Sequence, residues 1–288
     1  MSFSGEVREE LTKHIDTARH CQIAELSAMM HFCGQYGRDR DGVMTVGFQT
    51  ENEAVVRKGF TLLQKTFNIG MGMVADEEKQ KSLISKFGDL DAPVNPLTIK
   101  NSCCQRAYLR GVFLCTGSMS DPEKSYHMEF VCANSPQALQ LQDIIRGFDI
   151  DAKIVLRKKY YVVYLKEGSA IVEMLAIMGA HISLLNFENL RVLKDMRNSV
   201  NRRVNCETAN IAKTVNAASK QVEDILLIRD RYGFQNLQEN LREMAQARLE
   251  HPDVSLRELG ECLDPPVGKS GVNHRLRKLS ELADRIRT

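Results

Sequence analysis

Two short segments of the chain repeat one another, and they limit the folds open to it more than any other feature does. Residues 26–34 (LSAMMHFCG) and 109–117 (LRGVFLCTG) begin 83 residues apart. Each starts with leucine, has a small residue at its third position and ends in glycine. Helices with small residues on one face can pack backbone to backbone, and glycine is a common helix terminator. The repeat therefore predicts two similar halves that pair through these helices.

Hydrophobic periodicity predicts mixed helices and strands through residue 188 and helices alone beyond it. The predicted helices of the first part are 20–33, 51–66, 101–116, 136–147 and 169–178, and the predicted strands are 43–49, 69–75, 81–87, 125–133, 154–157 and 160–165. Further helices are expected at 189–202, 207–229 and 237–249. We therefore expect an α+β fold with a pseudo-twofold repeat, followed by an all-α domain.

Charge is distributed unevenly along the chain. Residues 1–188 hold 21 Lys and Arg against 23 Asp and Glu, whereas residues 189–288 hold 18 against 14. The net charges of −2 and +4 place the basic surface in the C-terminal third. We expect an N-terminal domain over residues 1–188, a helical linker over 189–225 and a C-terminal domain over 226–288.

The C-terminal part has the signature of two helices separated by a proline-containing connector. Ser255 and Glu258 have the spacing of a capping box, which predicts a helix start, and Pro265 marks its end. We expect Ser270 to cap a second helix that runs to about residue 287. Its apolar stripe is Val272, Leu276, Leu279, Ala283 and Ile286. Its opposite face carries Ser270, Asn273, His274, Arg277 and Lys278, with Arg275 on the flank and Lys269 just before it.

That polar and basic face is typical of a helix that enters the major groove of DNA. Asn and Arg side chains can read base edges, while Lys, Ser and helix-end amides contact phosphate. The alternative is a solvated basic surface without a ligand. The helix, connector and polar-basic helix together favour a helix-turn-helix that binds double-stranded DNA, and we predict the seven polar residues of this face as its DNA contacts.

The two repeated segments resemble the paired helices of LAGLIDADG homing endonucleases. The resemblance implies two helices at a pseudo-twofold axis above saddle-shaped antiparallel sheets. In the nucleases the next-to-last position of each motif is an acid that holds metal ions, but here these positions are Cys33 and Thr116. Neither is a hard anionic ligand. His31, at the motif's other acidic position, is interpreted as a packed helix histidine. We therefore expect no catalytic residues and no enzymatic activity.

Three stretches of the chain resemble the WhiA family. They are residues 108–114 (YLRGVFL), 201–213 (NRRVNCETANIAK) and 254–260 (VSLRELG). The resemblance implies a bacterial DNA-binding regulator of cell division and chromosome segregation without nuclease activity. In some sporulating bacteria it implies a transcription factor for sporulation with an iron–sulfur regulator as protein partner. The alternative is a nucleoid-associated adaptor that acts in division or segregation mainly through protein partners.

Two other basic segments have alternative interpretations. Arg202 and Arg203 are candidates for phosphate contacts, but residues 201–213 could equally form an interdomain helix whose Asn residues cap turns and whose Arg residues pair with acids. Arg157, Lys158 and Lys159 lie at a predicted hairpin tip and could contact the DNA backbone or simply be solvated.

The sequence predicts no metal and no cofactor. The eight cysteines form no CxxC pair, and the adjacent Cys103 and Cys104 lack the usual spacing of zinc ligands. The polar N-terminus does not resemble a signal peptide, and no apolar stretch reaches the roughly 18 residues of a membrane span. We therefore expect a cytoplasmic, nucleoid-associated protein that does not bind membranes.

Overall fold

The computed structural model describes residues 2–38, 44–70 and 77–287 and divides into two compact units, Met1–Asp195 and Met196–Thr288. The N-terminal unit contains α1 (Phe3–Lys13), α2 (Arg19–Cys33), β1 (Gly34–Arg38), β2 (Met44–Phe48), α3 (Glu53–Phe67), α4 (Glu77–Phe87), α5 (Ser102–Thr116), β3 (Gly117–Met119), β4 (Met128–Cys132), α6 (Ser135–Arg146), β5 (Lys153–Arg157), β6 (Tyr160–Leu165) and α7 (Gly168–Met178). Helix α8 (His181–Arg231) begins in this unit and ends in the next. The C-terminal unit continues with a 3-10 helix (Phe234–Asn236), α9 (Glu239–Glu250), α10 (Leu256–Glu261) and α11 (Lys269–Arg287).

The repeated segments form α2 and α5, which pack against each other at the centre of the N-terminal unit. Gly111 of α5 lies directly against the backbone of α2. A Cβ atom there would stand 2.6 Å from the carbonyl oxygen of Glu25 and 2.8 Å from the Cβ of Ala28. The small residues of the repeat therefore allow the two backbones to meet, as the sequence predicts.

A strand of an antiparallel sheet begins immediately after each of these two helices. The first described sheet is the β1–β2 hairpin, in which Gly34 faces Phe48. The second has the order β3–β4–β6–β5, and Phe130 of β4 faces Val163 of β6. Alternate residues of β4 are buried in the core, which leaves Glu129 on the other face of this sheet.

The first half of the unit departs from the predicted strands. Residues 71–75 of the expected strand 69–75 and Val43 of the expected strand 43–49 lie outside the described residues. The strand expected at 81–87 is wrong, because these residues belong to α4. Leu83 and Phe87, one helical turn apart, are both buried, while Ile84 is half exposed. Packing of this one face decides in favour of a helix.

A charged cluster is buried beside the paired helices. The Oε1 atom of Glu25 accepts from Arg110 Nε at 3.2 Å and also contacts the ammonium of Lys58. Lys58 donates further to the Leu11 carbonyl at 2.7 Å, and Arg110 reaches Asp16. Burial lowers the pKa of Lys58, and the carboxylate of Glu25 opposes that shift. The cluster links α1, α2, α3 and α5.

The C-terminal unit has its own apolar core. Its members from α8 to α10 include Ile225, Ile228, Met244 and Leu259, and α11 contributes its apolar stripe. The fully buried guanidinium of Arg248 donates to the Val254 carbonyl at 3.0 Å and so anchors the loop between α9 and α10. Within the described ranges, no helix has the combined length and hydropathy needed to cross a membrane.

The linker expected over residues 189–225 lies inside α8, which is continuous through the break expected near residue 205. The predicted domain boundary at residue 188 also falls within α8, seven residues before the division into compact units. The helix therefore contributes to both units.

Candidate nucleic-acid interface

The first helix of the predicted DNA-binding motif is built by its capping box. The Ser255 hydroxyl accepts from the Glu258 amide at 3.4 Å, and the Glu258 carboxylate accepts from the Ser255 amide at 2.9 Å. These hydrogen bonds lower the pKa of Glu258. The predicted helix start is confirmed, and two otherwise unpaired amides are satisfied by one pair of side chains.

The connector between α10 and α11 folds back onto α10 at Gly260. The Val267 amide donates to the Gly260 carbonyl at 2.9 Å. A Cβ atom on Gly260 would lie 1.9 Å from the Val267 carbonyl oxygen, so only glycine fits. This contact brings the start of α11 against α10.

Helix α11 buries one face and exposes the other. Val272, Leu276, Leu279 and Ala283 are buried, and Ile286 is partly buried. The predicted apolar stripe is therefore confirmed. The helix starts at Lys269, one residue earlier than predicted, so Ser270 lies in its first turn and is not its cap.

The predicted DNA-contacting residues lie together on the first half of α11. Lys269, Ser270, Asn273, His274, Arg277 and Lys278 are exposed, and Arg275 is partly buried. The segment 269–278 contains four Lys or Arg residues and no acid. Arg275 donates weakly to the Asn240 carbonyl at 3.4 Å, and Arg277 pairs with Glu281 at 3.0 Å. This half of the helix is therefore a basic surface with side chains able to read bases.

Lys269 and Asn273 also line a cleft of about 720 Å³ within the C-terminal unit. Lys213 of α8 and Arg257 of α10 line the same cleft. Sequence analysis did not single out Arg257, whose only signal was its position in the first turn of the predicted helix. The cleft thus adds cations from two other helices beside the basic half of α11.

Residues 201–213 lie within α8, and every one of them is exposed. Arg203 pairs with Glu207 at 3.3 Å, and Arg202 lies beside it on the helix surface. The helix and the Arg–acid pairing of the alternative interpretation are present, the latter at Arg203. The expectation that Asn residues cap turns here is wrong for Asn201, Asn205 and Asn210, since all three lie inside a continuous helix. Arg202 and Arg203 remain candidates for phosphate contacts.

The structure places Cys33 and Thr116 at the C-terminal ends of the paired helices. Cys33 is buried, and the Thr116 hydroxyl donates to the Val112 carbonyl at 3.4 Å. Both are the last helical residues before a strand, which is where the nuclease acids would stand. Neither side chain offers a carboxylate to a metal ion.

His31 is packed, as its interpretation from sequence proposed. Its Nδ1 donates to the Ala92 carbonyl at 2.8 Å. Burial lowers the pKa of His31, and this hydrogen bond opposes the shift only in part. The ring is therefore held in its neutral form.

A neutral buried histidine makes stability pH-dependent. Because the folded pKa of His31 is lowered, the unfolded chain binds the proton more tightly, and stability falls as pH drops below the unfolded value of about 6.5. The slope contributed by His31 reaches at most about 1.4 kcal/mol per pH unit. We expect His31→Gln to remove this component, measured by hydrogen exchange of α2 peptides across pH. The exposed His181→Gln should retain it, and an unchanged slope in His31→Gln would contradict the assignment.

The hairpin tip expected to carry Arg157, Lys158 and Lys159 is present, and all three are exposed. Arg157 pairs with Glu129 at 3.2 Å, and Glu129 also accepts from His127 at 3.1 Å. The Glu129 carboxylate of this sheet face is thus already paired with Arg157, the arginine of the hairpin tip.

Comparisons with known proteins agree with this architecture. Residues 19–81 match the model of the WhiA N-terminal LAGLIDADG-like domain, residues 105–197 that of the WhiA LAGLIDADG-like domain, and residues 200–283 that of the WhiA C-terminal HTH domain. The crystal structure of full-length DUF199/WhiA from Thermatoga maritima matches with a TM-score of 0.60 and 25% identity over 99% of both chains.

Curated relatives match over the whole length. The chain is 52% identical to the probable cell division protein WhiA of Lachnoclostridium phytofermentans, with complete coverage of both proteins. It is 44% identical to the protein of the same name from Clostridium beijerinckii, over 100% of this chain and 99% of the relative. The predicted fold is confirmed: a LAGLIDADG-like α+β unit precedes a helix-turn-helix unit. The chain belongs to the WhiA family.

Proposed function

We propose that the chain is a sequence-reading DNA-binding regulator of bacterial cell division and that α11 is its recognition helix. The observation that carries the proposal is the polarity of α11. Its buried stripe fixes the helix, and its exposed first half, residues 269–278, carries four basic residues and no acid. In helix-turn-helix proteins the N-terminal part of the recognition helix contacts base edges.

The exposed side chains of α11 fall into two groups, those that can contact base edges and those that can contact phosphate. Asn273 and Arg277 have the donors and acceptors that discriminate base edges in the major groove. Lys269 and Lys278, as point charges, suit phosphate contacts, and the first-turn amides of α11 add donors there. Arg277 can exchange Glu281 for DNA at little cost because an exposed ion pair contributes little free energy.

The proposed role of the N-terminal unit is protein recruitment without nuclease activity. Cys33 and Thr116 replace the acids that would hold catalytic metal ions. On the exposed sheet face, Glu129 would repel phosphate and already pairs with Arg157. We therefore assign the DNA contacts to the C-terminal unit. Transcriptional control of division, sporulation or chromosome segregation, association with the nucleoid, and an iron–sulfur or division protein as partner are extensions that the family resemblance suggests.

The test is DNA binding by the full chain to a duplex selected from a random pool, compared with a random duplex over a salt series. Asn273→Ala or Arg277→Ala should weaken binding to the selected duplex by about 1–3 kcal/mol and reduce discrimination. Lys278→Ala should weaken binding to both duplexes and lower the salt slope by about 0.9.

Control variants distinguish the loss of base recognition from a general loss of positive charge. Arg229→Ala removes an exposed cation from α8 and should preserve discrimination. A triple alanine variant of Arg157, Lys158 and Lys159 tests the N-terminal unit. If that variant loses more affinity than Arg277→Ala, the sheet face is the DNA surface and the proposal is wrong.

A further inference from the structure

A cluster of cysteine and histidine side chains lies at the N-terminal ends of the paired helices, opposite the ends that hold Cys33 and Thr116. His20 and Cys21 lie in the first turn of α2, and Cys103 and Cys104 lie in the first turn of α5. One potential ligand atom from each of the four residues lies within 4.8 Å of the others. Chain spacing alone predicts no metal site here, because each helix contributes only one adjacent pair.

The two pairs occupy equivalent positions of the internal repeat. Cys21 and Cys104 are separated by 83 residues, as are His20 and Cys103, and this is the offset of the two repeated segments. Since α2 and α5 pack side by side, their first turns meet at one end of the helix pair. The pseudo-twofold arrangement therefore brings one pair of potential ligands from each helix together, which gives a set of four.

The distances suit tetrahedral coordination. His20 Nδ1 lies 3.2 Å from Cys104 Sγ, 3.4 Å from Cys21 Sγ and 4.0 Å from Cys103 Sγ. With zinc–sulfur bonds of about 2.3 Å and a zinc–nitrogen bond of about 2.0 Å, a tetrahedron separates its ligand atoms by about 3.5–3.8 Å. Small side-chain movements would bring all four atoms to a common centre.

The first turns of both helices also provide backbone amides near the sulfur atoms. In the described structure the N-cap residues Ala18 and Asn101 make no side-chain cap bond, so first-turn amides of both helices can stabilise negative sulfur.

We propose that His20, Cys21, Cys103 and Cys104 form a structural site for a tetrahedral divalent metal ion of the zinc class. On binding, each of the three thiols releases its proton to solvent and forms a metal–sulfur bond, while neutral His20 donates its Nδ1 lone pair. No electron is transferred. The ion links the first turns of α2 and α5, so its binding free energy adds to the stability of the helix pair.

The test uses the full chain, purified without metal under reducing conditions and titrated with Co²⁺ and then Zn²⁺. We expect a single Co²⁺ equivalent with the visible d–d bands and thiolate charge-transfer absorption of tetrahedral coordination, displaced by Zn²⁺. Zinc should slow hydrogen exchange at the starts of α2 and α5. Affinity should fall as pH drops, since protons compete for the thiolates.

Exposed ligands provide variants that leave the core intact. His20→Ala and Cys103→Ser should each abolish the tetrahedral spectrum while the circular dichroism spectrum is unchanged. Cys206→Ser and Cys262→Ser remove exposed cysteines elsewhere and should keep it. A spectrum that survives in His20→Ala and Cys103→Ser, absence of binding by the parent chain, or a disulfide within the cluster under reducing conditions would overturn the site.

Discussion

Replacing Glu25 with glutamine is expected to destabilise the N-terminal unit by about 3–5 kcal/mol, the usual cost of removing one partner from a buried ion pair. Glu25 is fully buried, and its carboxylate neutralises both Lys58 and Arg110. Without it, Lys58 remains as a buried cation, while Arg110 retains its contacts with Asp16 and the Met178 carbonyl. The measurement is hydrogen exchange of α2 and α5 peptides in the full chain under increasing urea.

The pH dependence of this variant identifies the mechanism. Burial already lowers the pKa of Lys58, and loss of Glu25 lowers it further. The unfolded chain, with a lysine pKa of about 10.4, then binds the proton more tightly than the folded chain. The loss of stability caused by Glu25→Gln should therefore become smaller as pH rises towards the pKa of lysine in the unfolded chain.

Two companion variants serve as controls. Glu25→Gln combined with Lys58→Met removes both charges of the pair and should recover part of the lost stability. Glu9→Gln removes an exposed acid paired with Lys13 and should leave the exchange profile unchanged. If Glu25→Gln exchanged like the parent chain, the buried cluster would not support the paired helices.

Gly260→Ala is expected to disrupt the helix-turn-helix by about 1–3 kcal/mol, the usual cost of overpacking, and to abolish selective DNA binding. The added Cβ would stand 1.9 Å from the Val267 carbonyl oxygen, which is backbone and cannot rotate away. The connector must then leave α10, and the start of α11 moves with it. Hydrogen exchange over residues 255–287 and binding to the selected duplex measure the two effects.

Helix propensity alone makes the opposite prediction for this position. Alanine is favoured over glycine within a helix by about 1 kcal/mol, so a purely local account expects Gly260→Ala to stabilise α10. Gly268→Ala provides the control, because a Cβ there meets nothing within 4 Å. Stabilisation of residues 255–287 by Gly260→Ala would show that the connector contact is unimportant.

The two helices of the helix-turn-helix, α10 and α11, were predictable because their signals are local. The Ser255–Glu258 capping box joins residues three positions apart, and the buried stripe of α11 repeats at intervals of three and four. Such interactions form within one helix, so the order of the residues is sufficient to predict them. The paired helices were predictable for a related reason, because their small residues and terminal glycines recur at a constant offset.

Two features of the secondary structure depended on packing: the helical conformation of residues 81–87 and the continuity of α8 through residues 201–213. The segment 81–87 carries apolar residues compatible with a strand, and burial of Leu83 and Phe87 on one face makes it helical. The Asn-rich segment 201–213 contains residues typical of turns, yet α8 runs through it without a break. Local preferences for helix and turn are weak, and the surrounding helix overrides them.

The amino-acid sequence by itself determined the two LAGLIDADG-like helices, the missing nuclease acids and the polar face of α11. Only the tertiary structure decided that Glu25 lies between Lys58 and Arg110, and that Cys21 meets Cys104 across the repeat. The physical reason is range: caps and amphipathic faces arise between residues within a few positions, whereas ion pairs and metal ligands require side chains from distant segments to meet. Chain spacing does not specify those meetings until the helices pack.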